Sequence, residues 1–202
     1  MPLGGAGEGA QTVKVLAING SPRKKGNTQI LLDAALDEFR SAGAEAETIS
    51  MADYNVKPCT GCERCYQKFW DCPIGDDAVK VLKKMAYADA LLIGSPVYFG
   101  GVTAQLKALF DRSSMPYQQQ ELRDKVGGAL AVGQGLHGGQ ELTVSQIVAF
   151  FMCHDMLVAP SENGILGAMA TANGPGDVRK DEDGIKNARA LAKRMIRMMG
   201  KR

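Results

Sequence analysis

From Val13 onward the chain alternates two kinds of segment: short, unbroken apolar runs, and longer stretches whose apolar residues recur every three or four positions. Residues 13–18, interrupted only by Lys14, and residues 90–93, 128–132 and 156–159 are runs of the first kind, and residues 46–50 have the composition of one more strand. In the second kind, residues 28–40 place Ile30, Leu32, Ala35, Leu36 and Phe39 near one helical face. Residues 76–87 do the same with Val79, Leu82, Lys83 and Ala86, and helices are also predicted over 103–112 and 140–153. Residues 185–199 set Ile185, Ala188, Leu191, Ala192, Met195 and Met199 along one stripe, a tail expected to pack on the core. Strands that are apolar throughout are buried on both faces. Alternation with amphipathic helices therefore predicts a parallel sheet covered on both sides.

Five such strands fit an α/β, flavodoxin-like three-layer sandwich with a five-stranded parallel sheet in the order 2-1-3-4-5. The 202 residues suffice for one domain with a sizeable core, expected over 12–202. Gly-rich residues 1–11 are a predicted disordered lead-in with neither a basic segment nor an apolar one, and no run approaches the roughly 18 apolar residues of a membrane span, so a cytoplasmic location is expected. Hydrophobic residues make up 45% and charged ones 23%, with a net charge of +2. That balance gives no reason to invoke nucleic acid or a membrane as partner, so partners must be argued from sites.

In such a sheet, ligands sit beyond the carboxyl ends of the strands near the switch point of strand order. After the first strand comes Asn19-Gly20-Ser21-Pro22-Arg23-Lys24-Lys25-Gly26-Asn27-Thr28, a loop rich in hydroxyls, glycine and positive charge that feeds directly into a helix. Backbone N–H groups at the helix start, the hydroxyls of Ser21 and Thr28, and Arg23 suit a terminal phosphate. The plainer alternative is that Asn27 or Thr28 only caps the helix. The loop is neither a Walker sequence nor a dinucleotide fingerprint. After the third strand, Gly94-Ser95-Pro96-Val97-Tyr98-Phe99-Gly100-Gly101 combines a proline bend, two aromatics and two glycines, a surface suited to a planar ring such as a flavin. The loop from Gly133 to Gln140 is placed to pass the other edge of that ring; its His137 is expected to face solvent. Both loops could equally be Gly-rich turns. Residues 113–125, with Gln118-Gln119-Gln120, form a polar insertion expected to cover a site or join a partner.

The densest chemistry lies after the second strand, in a loop at 58–73. Cys59, Cys62, Cys65 and Cys72 fall within 14 residues as C-x2-C-x2-C-x6-C, followed by Pro73. Cysteines spaced by two turn their sulfurs toward one centre, and a fourth after a longer loop completes the ligand set of an iron–sulfur cluster. Zinc remains an alternative, although zinc sites more often separate two ligand pairs by a dozen or more residues. Free or redox-paired thiols are the third reading. The fifth cysteine, Cys153, lies in an apolar stretch and is expected in the core. Four of five cysteines in one loop fit a reducing compartment better than a disulfide scaffold.

The run from Gly20 to Thr28, the four-cysteine loop, and the run from Gly94 to Gly100 together resemble the iron–sulfur flavoproteins, within the NAD(P)H-dependent FMN reductases of flavodoxin-like fold. The resemblance spans residues 13 to about 159 with the motifs in order. It implies FMN bound with its phosphate at Ser21, Arg23, Gly26, Asn27 and Thr28 and its ring against Pro96, Val97, Tyr98, Phe99, Gly100 and Gly133. It further implies a 4Fe-4S cluster on Cys59, Cys62, Cys65 and Cys72, and a homodimer or homotetramer with the cluster near a subunit interface. The function implied is an oxidoreductase passing electrons between a one-electron donor such as ferredoxin and a small-molecule acceptor (quinone, oxygen or peroxide), with no side chain acting as nucleophile or general acid. Two other functions stay open: an NAD(P)H-dependent FMN or quinone reductase without a cluster, and a cluster-based redox sensor.

Overall fold

The computed structural model describes residues 12–162 and 165–200, so the expected lead-in over 1–11 lies outside them. The strands are β1 (Lys14–Asn19), β2 (Glu45–Ser50), β3 (Ala90–Pro96), β4 (Val126–Gly133), β5 (Leu157–Val158) and β6 (Ala168–Thr171). Between and after them run α1 (Asn27–Ser41), the short α2 (Arg64–Gln67), α3 (Ala78–Tyr87), α4 (Ala104–Asp111), α5 (Ser114–Gln118), α6 (Gln140–Cys153) and α7 (Glu182–Met199). The sheet order is β2-β1-β3-β4-β5, all parallel, as the sequence pattern predicts. The fifth position differs in one respect, because it is filled in two pieces. β5 pairs with Val126 and Gly127 at the start of β4, and β6 pairs with Leu130 to Gly133 at its end.

Alternation along each strand divides the core in two. Val15, Ala17, Leu92 and Leu130 face α1 and α7, where Leu32, Phe39, Leu191 and Met195 are fully buried. Leu16, Ile18, Leu91, Ile93 and Ala129 face the other way, onto Leu82 of α3, Leu106 of α4 and Phe151 of α6. The middle of β4 shows how close the layers lie. A Cβ on Gly127 would stand 2.8 Å from the Phe151 ring, and one on Gly128 would stand 2.4 Å from the Met195 sulfur. Two adjacent residues without side chains thus let helices approach both faces of the same strand. Met198 and Met199 pack against the α1/α7 core as the tail pattern predicts. Cys153 does not join the core: it is exposed at the end of α6, whose buried stripe is instead Val144, Ile147, Phe150 and Phe151. Among the described residues no helix is long and apolar enough to cross a membrane.

The polar insertion folds as α5 and the turns after it, packed on α2 and α3. At its start, Ser113 Oγ lies 2.9 Å from His154 Nε2 inside the structure, and the imidazole leans on the Phe150 ring, with centroids 4.7 Å apart. Burial pushes His154 down from 6.5 to about 4. Because the folded value lies below the unfolded one, the stability tied to the neutral ring is complete above about pH 6.5. It is lost as the pH falls from there toward 4, where the unfolded chain binds a proton that the native state refuses. The full shift corresponds to at most ~3 kcal/mol. Urea midpoints at pH 7.5 and 4.5 should therefore differ more in the wild type than in His154→Gln; equal pH dependence in the two proteins would place the acid sensitivity elsewhere.

Candidate functional site

A cleft of about 320 Å³ opens where four strands end. Its walls come from the loop after β1 (Ser21, Arg23, Gly26, Asn27, Thr28), the end of β3 (Pro96, Val97, Tyr98), the end of β4 (Val132, Gly133, Gln134) and the segment after β6 (Ala172, Asn173, Gly174). Helix α1 starts at this cleft with Gly26 as N-cap, no side-chain cap, and no acidic residue in its first turn. The first N–H groups of a helix carry partial positive charge and have no partner within the helix. With exposed Arg23 and the buried Ser21 hydroxyl beside them, they form an arrangement suited to an anion.

Buried polar groups hold the loop in this shape. Gly20 N donates to Gly94 O at 2.7 Å, and Thr103 Oγ1 donates to Gly20 O at 2.6 Å while capping α4 through Leu106 N. Ser21 N donates to Asn19 Oδ1, and Arg23 N to Ser21 Oγ, so the turn closes on its own side chains. On the second wall, Tyr98 and Gly101 exchange backbone hydrogen bonds around a turn whose central residues, Phe99 (φ 49°) and Gly100 (φ 77°), are both left-handed. A large side chain seldom adopts that conformation. It lifts Phe99 fully into solvent beside half-exposed Tyr98, with exposed Leu136 and Leu142 on the neighbouring segments.

The cysteine loop is a second centre. Cys59 and Cys62 are exposed, and Cys65 and Cys72 are half-buried. Burial pushes the Cys65 thiol up, and charge on Cys59, Cys62 or Cys72 raises it further. Among the described residues, no three His, Cys, Asp or Glu side chains gather tightly enough to hold a single metal ion. The ligands of a four-iron cluster bind separate irons and need not meet at one point. The loop is fastened at both ends to Asp76, which accepts from Lys57 N at 2.8 Å and Ala78 N at 3.0 Å. Burial alone would raise the Asp76 carboxyl, but the Arg112 guanidinium and these N–H groups outweigh it and hold it below the usual range. Trp70 Nε1 reaches Glu121 of the insertion at 3.4 Å. Lys24, in the anion loop, pairs with Asp53 just after β2, which links the approaches to the two centres.

Of the residues singled out from sequence, Ser21, Arg23, Gly26, Asn27, Thr28, Pro96, Val97, Tyr98 and Gly133 line the cleft, whereas Phe99 and Gly100 stand on the turn outside it. His137 faces solvent, as expected. Sequence reasoning missed Ala172, Asn173 and Gly174, because the four residues of β6 between loops give no periodic signal. It also missed what Asn27 does: its Nδ2 donates to Gly174 O at 2.9 Å, and its Oδ1 accepts from Val178 N at 3.3 Å. Asn27 thereby ties the fourth wall to the start of α1.

Residues 13–169 match the NADPH-dependent FMN reductase family. The chain is 45% identical over 189 residues to an iron–sulfur flavoprotein of Methanocaldococcus jannaschii, covering 93% of this chain and 97% of that one. It is 40% identical over 192 residues to an iron–sulfur flavoprotein of Archaeoglobus fulgidus, with 91% and 94% covered. Among solved structures, RosB with a bound riboflavin-phosphate intermediate aligns with a TM-score of 0.74 at 18% identity, over 93% of this chain and 79% of that one. The NAD(P)H:quinone oxidoreductase from Methanothermobacter marburgensis gives 0.70 at 17% identity, over 91% and 96%. At such identities the structures speak for the fold alone.

Asn27→Ala removes both ties to the fourth wall and should cost about 1–2 kcal/mol. Amide exchange should speed up over residues 172–178 while β1 and β3 stay protected; unchanged exchange there would show that the segment is held by other contacts.

Proposed function

The chain belongs to the NADPH-dependent FMN reductase family and, within it, to the iron–sulfur flavoproteins, and from that premise we propose that this flavin-dependent oxidoreductase carries FMN in the cleft and a 4Fe-4S cluster on Cys59, Cys62, Cys65 and Cys72. It passes electrons from a one-electron donor such as ferredoxin to a small acceptor such as a quinone, oxygen or peroxide. The observation that carries the flavin half is the uncapped start of α1 opening onto the cleft, with Arg23 and Ser21 at its mouth. The residues present fit the group: an anion site at one end, and at the other a largely apolar and backbone wall of Pro96, Val97, Tyr98 and Gly133. The cluster half is supported by four thiolate donors within 14 residues and by the iron–sulfur name of relatives that align along nearly the whole chain.

When bound, a flavin and an iron–sulfur cluster together supply exchange between one-electron and two-electron chemistry. The chain's own residues bind and orient. Ser21, Arg23 and the first N–H groups of α1 hold the phosphate, and Pro96 to Tyr98 and Gly133 bring backbone donors and acceptors to the ring. Asn27 keeps the Ala172–Gly174 wall in place. Among the described residues, those lining the cleft include no carboxylate and no histidine. Exposed Phe99, Leu136 and Leu142 beside the cleft support a homo-oligomer that covers them.

A flavin-only NAD(P)H-dependent reductase is the second reading. The match of residues 13–169 to the NADPH-dependent FMN reductase family favours it.

Anaerobic stopped-flow reduction separates the two. Reduced ferredoxin should reduce the wild-type flavin at least about tenfold faster than that of Cys62→Ala, a difference of ~1.4 kcal/mol in barrier, with FMN still bound in the variant. Rapid flavin bleaching by NAD(P)H at equal rates in both proteins, with no advantage for ferredoxin, would establish the flavin-only reductase.

A further inference from the structure

Arg112 follows the last residue of α4, and its side chain is only 1% exposed, against an Asp76 side chain that is fully buried. Nη1 donates to Asp76 Oδ2 at 2.8 Å and to Lys57 O at 2.9 Å. Nη2 donates to Asp76 Oδ1 at 3.1 Å and, at the same distance, to Cys72 Sγ. One buried cation therefore gathers the residue before the cysteine loop, an aspartate three residues beyond it, and the last of its four sulfurs. Nε is buried with no partner. The group is thus not arranged to satisfy all its own N–H donors, since one is left over while another points at sulfur. A neutral thiol is a weak acceptor and repays little for such a donor. A thiolate bound to iron is negatively charged, and the N–H···S contact is then charge-assisted.

We propose that Arg112 is a positioning residue for the iron–sulfur centre, seating Cys72 as a ligand and raising the reduction potential of the cluster through its hydrogen bond to that sulfur. The proposal rests on the cluster reading above. Hydrogen bonds to the sulfurs and local charge are what set a cluster's potential. A cation at a ligand sulfur favours the reduced state, which holds one more electron taken from the external one-electron donor. Asp76 has the complementary part: it neutralises the guanidinium, keeps it oriented, and closes the base of the loop through Lys57 N and Ala78 N.

The test starts with iron and acid-labile sulfide in anaerobically purified wild type, and an iron-free protein after reconstitution would overturn the cluster reading and this proposal before any variant is made. With the cluster present, the variants are Arg112→Lys and the double change Arg112→Met with Asp76→Asn, which leaves no lone carboxylate buried. Redox titrations followed by electron paramagnetic resonance give the cluster midpoint, with the flavin midpoint as internal control. Amide exchange over residues 57–76 reports the seating of the loop. At the wild-type midpoint, the double variant should show at least a tenfold lower ratio of reduced to oxidised cluster, a fall of 59 mV for a one-electron couple. Arg112→Lys should shift in the same direction by less, with faster exchange around Cys72 and an unmoved flavin midpoint in both. If the double variant loses its iron, Arg112→Lys decides: a lowered cluster midpoint supports the proposal. An unchanged cluster midpoint with full iron content overturns it and leaves Arg112 a structural clamp.

Discussion

The structure turns on the unpartnered N–H groups at the start of α1. A helix beginning with a glycine cap and no acidic first-turn residue leaves donors that only solvent or an anion can satisfy. The surrounding fold presents that end. β1 lies between β2 and β3 in a parallel sheet, so its carboxyl end adjoins theirs, and the loop leading to α1 is fixed by Gly94, Thr103 and its own Asn19 and Ser21. None of these contacts needs a particular ligand. Together they hold the proposed phosphate site in shape without a ligand, and in that proposal the chemistry is left to whatever the phosphate carries.

The cysteine loop answers a different constraint. It is long, leaves Tyr66 and Phe69 exposed, and is not held by burial alone. A fully buried Arg112–Asp76 pair does the holding, with Lys57, Ala78 and Cys72 joined to it. Breaking one side of such a pair typically costs about 3–5 kcal/mol, because the remaining charge stays buried and uncompensated. Loop and insertion therefore stand or fall together: α5 packs on α2, and Trp70 reaches Glu121.

What the sequence revealed follows from which signals are local. The helix over Gln140–Cys153 appears with the bounds its periodicity predicts, and the strand order follows from apolar runs alternating with amphipathic helices. Glycine, proline and hydroxyl residues mark the loops after β1 and β3 because turns and anion sites demand those residues locally. The fifth strand was legible only in its first half, since β6 is a four-residue run whose strand character comes from pairing with β4. Pairing across the chain also hid the roles of Arg112, which is 36 residues from Asp76, and of Asn27, which is 147 residues from Gly174. Cys153 misled for the same reason: apolar neighbours in sequence do not say which side of a helix faces out, and its place at the helix end falls off the buried stripe of Phe150 and Phe151.

The two centres have separate physical bases, a helix start for one and a charge-clamped thiol loop for the other, and one determination asks whether both are filled. Protein purified without oxygen should be analysed for FMN, iron, acid-labile sulfide and zinc, alongside its visible spectrum. The expected result is about one FMN and about four irons with matching sulfide per chain, and flavin bands over a broad cluster absorbance. One FMN per chain with zinc or no metal, even after reconstitution with iron and sulfide, would contradict it and leave a flavin reductase whose cysteine loop serves another purpose.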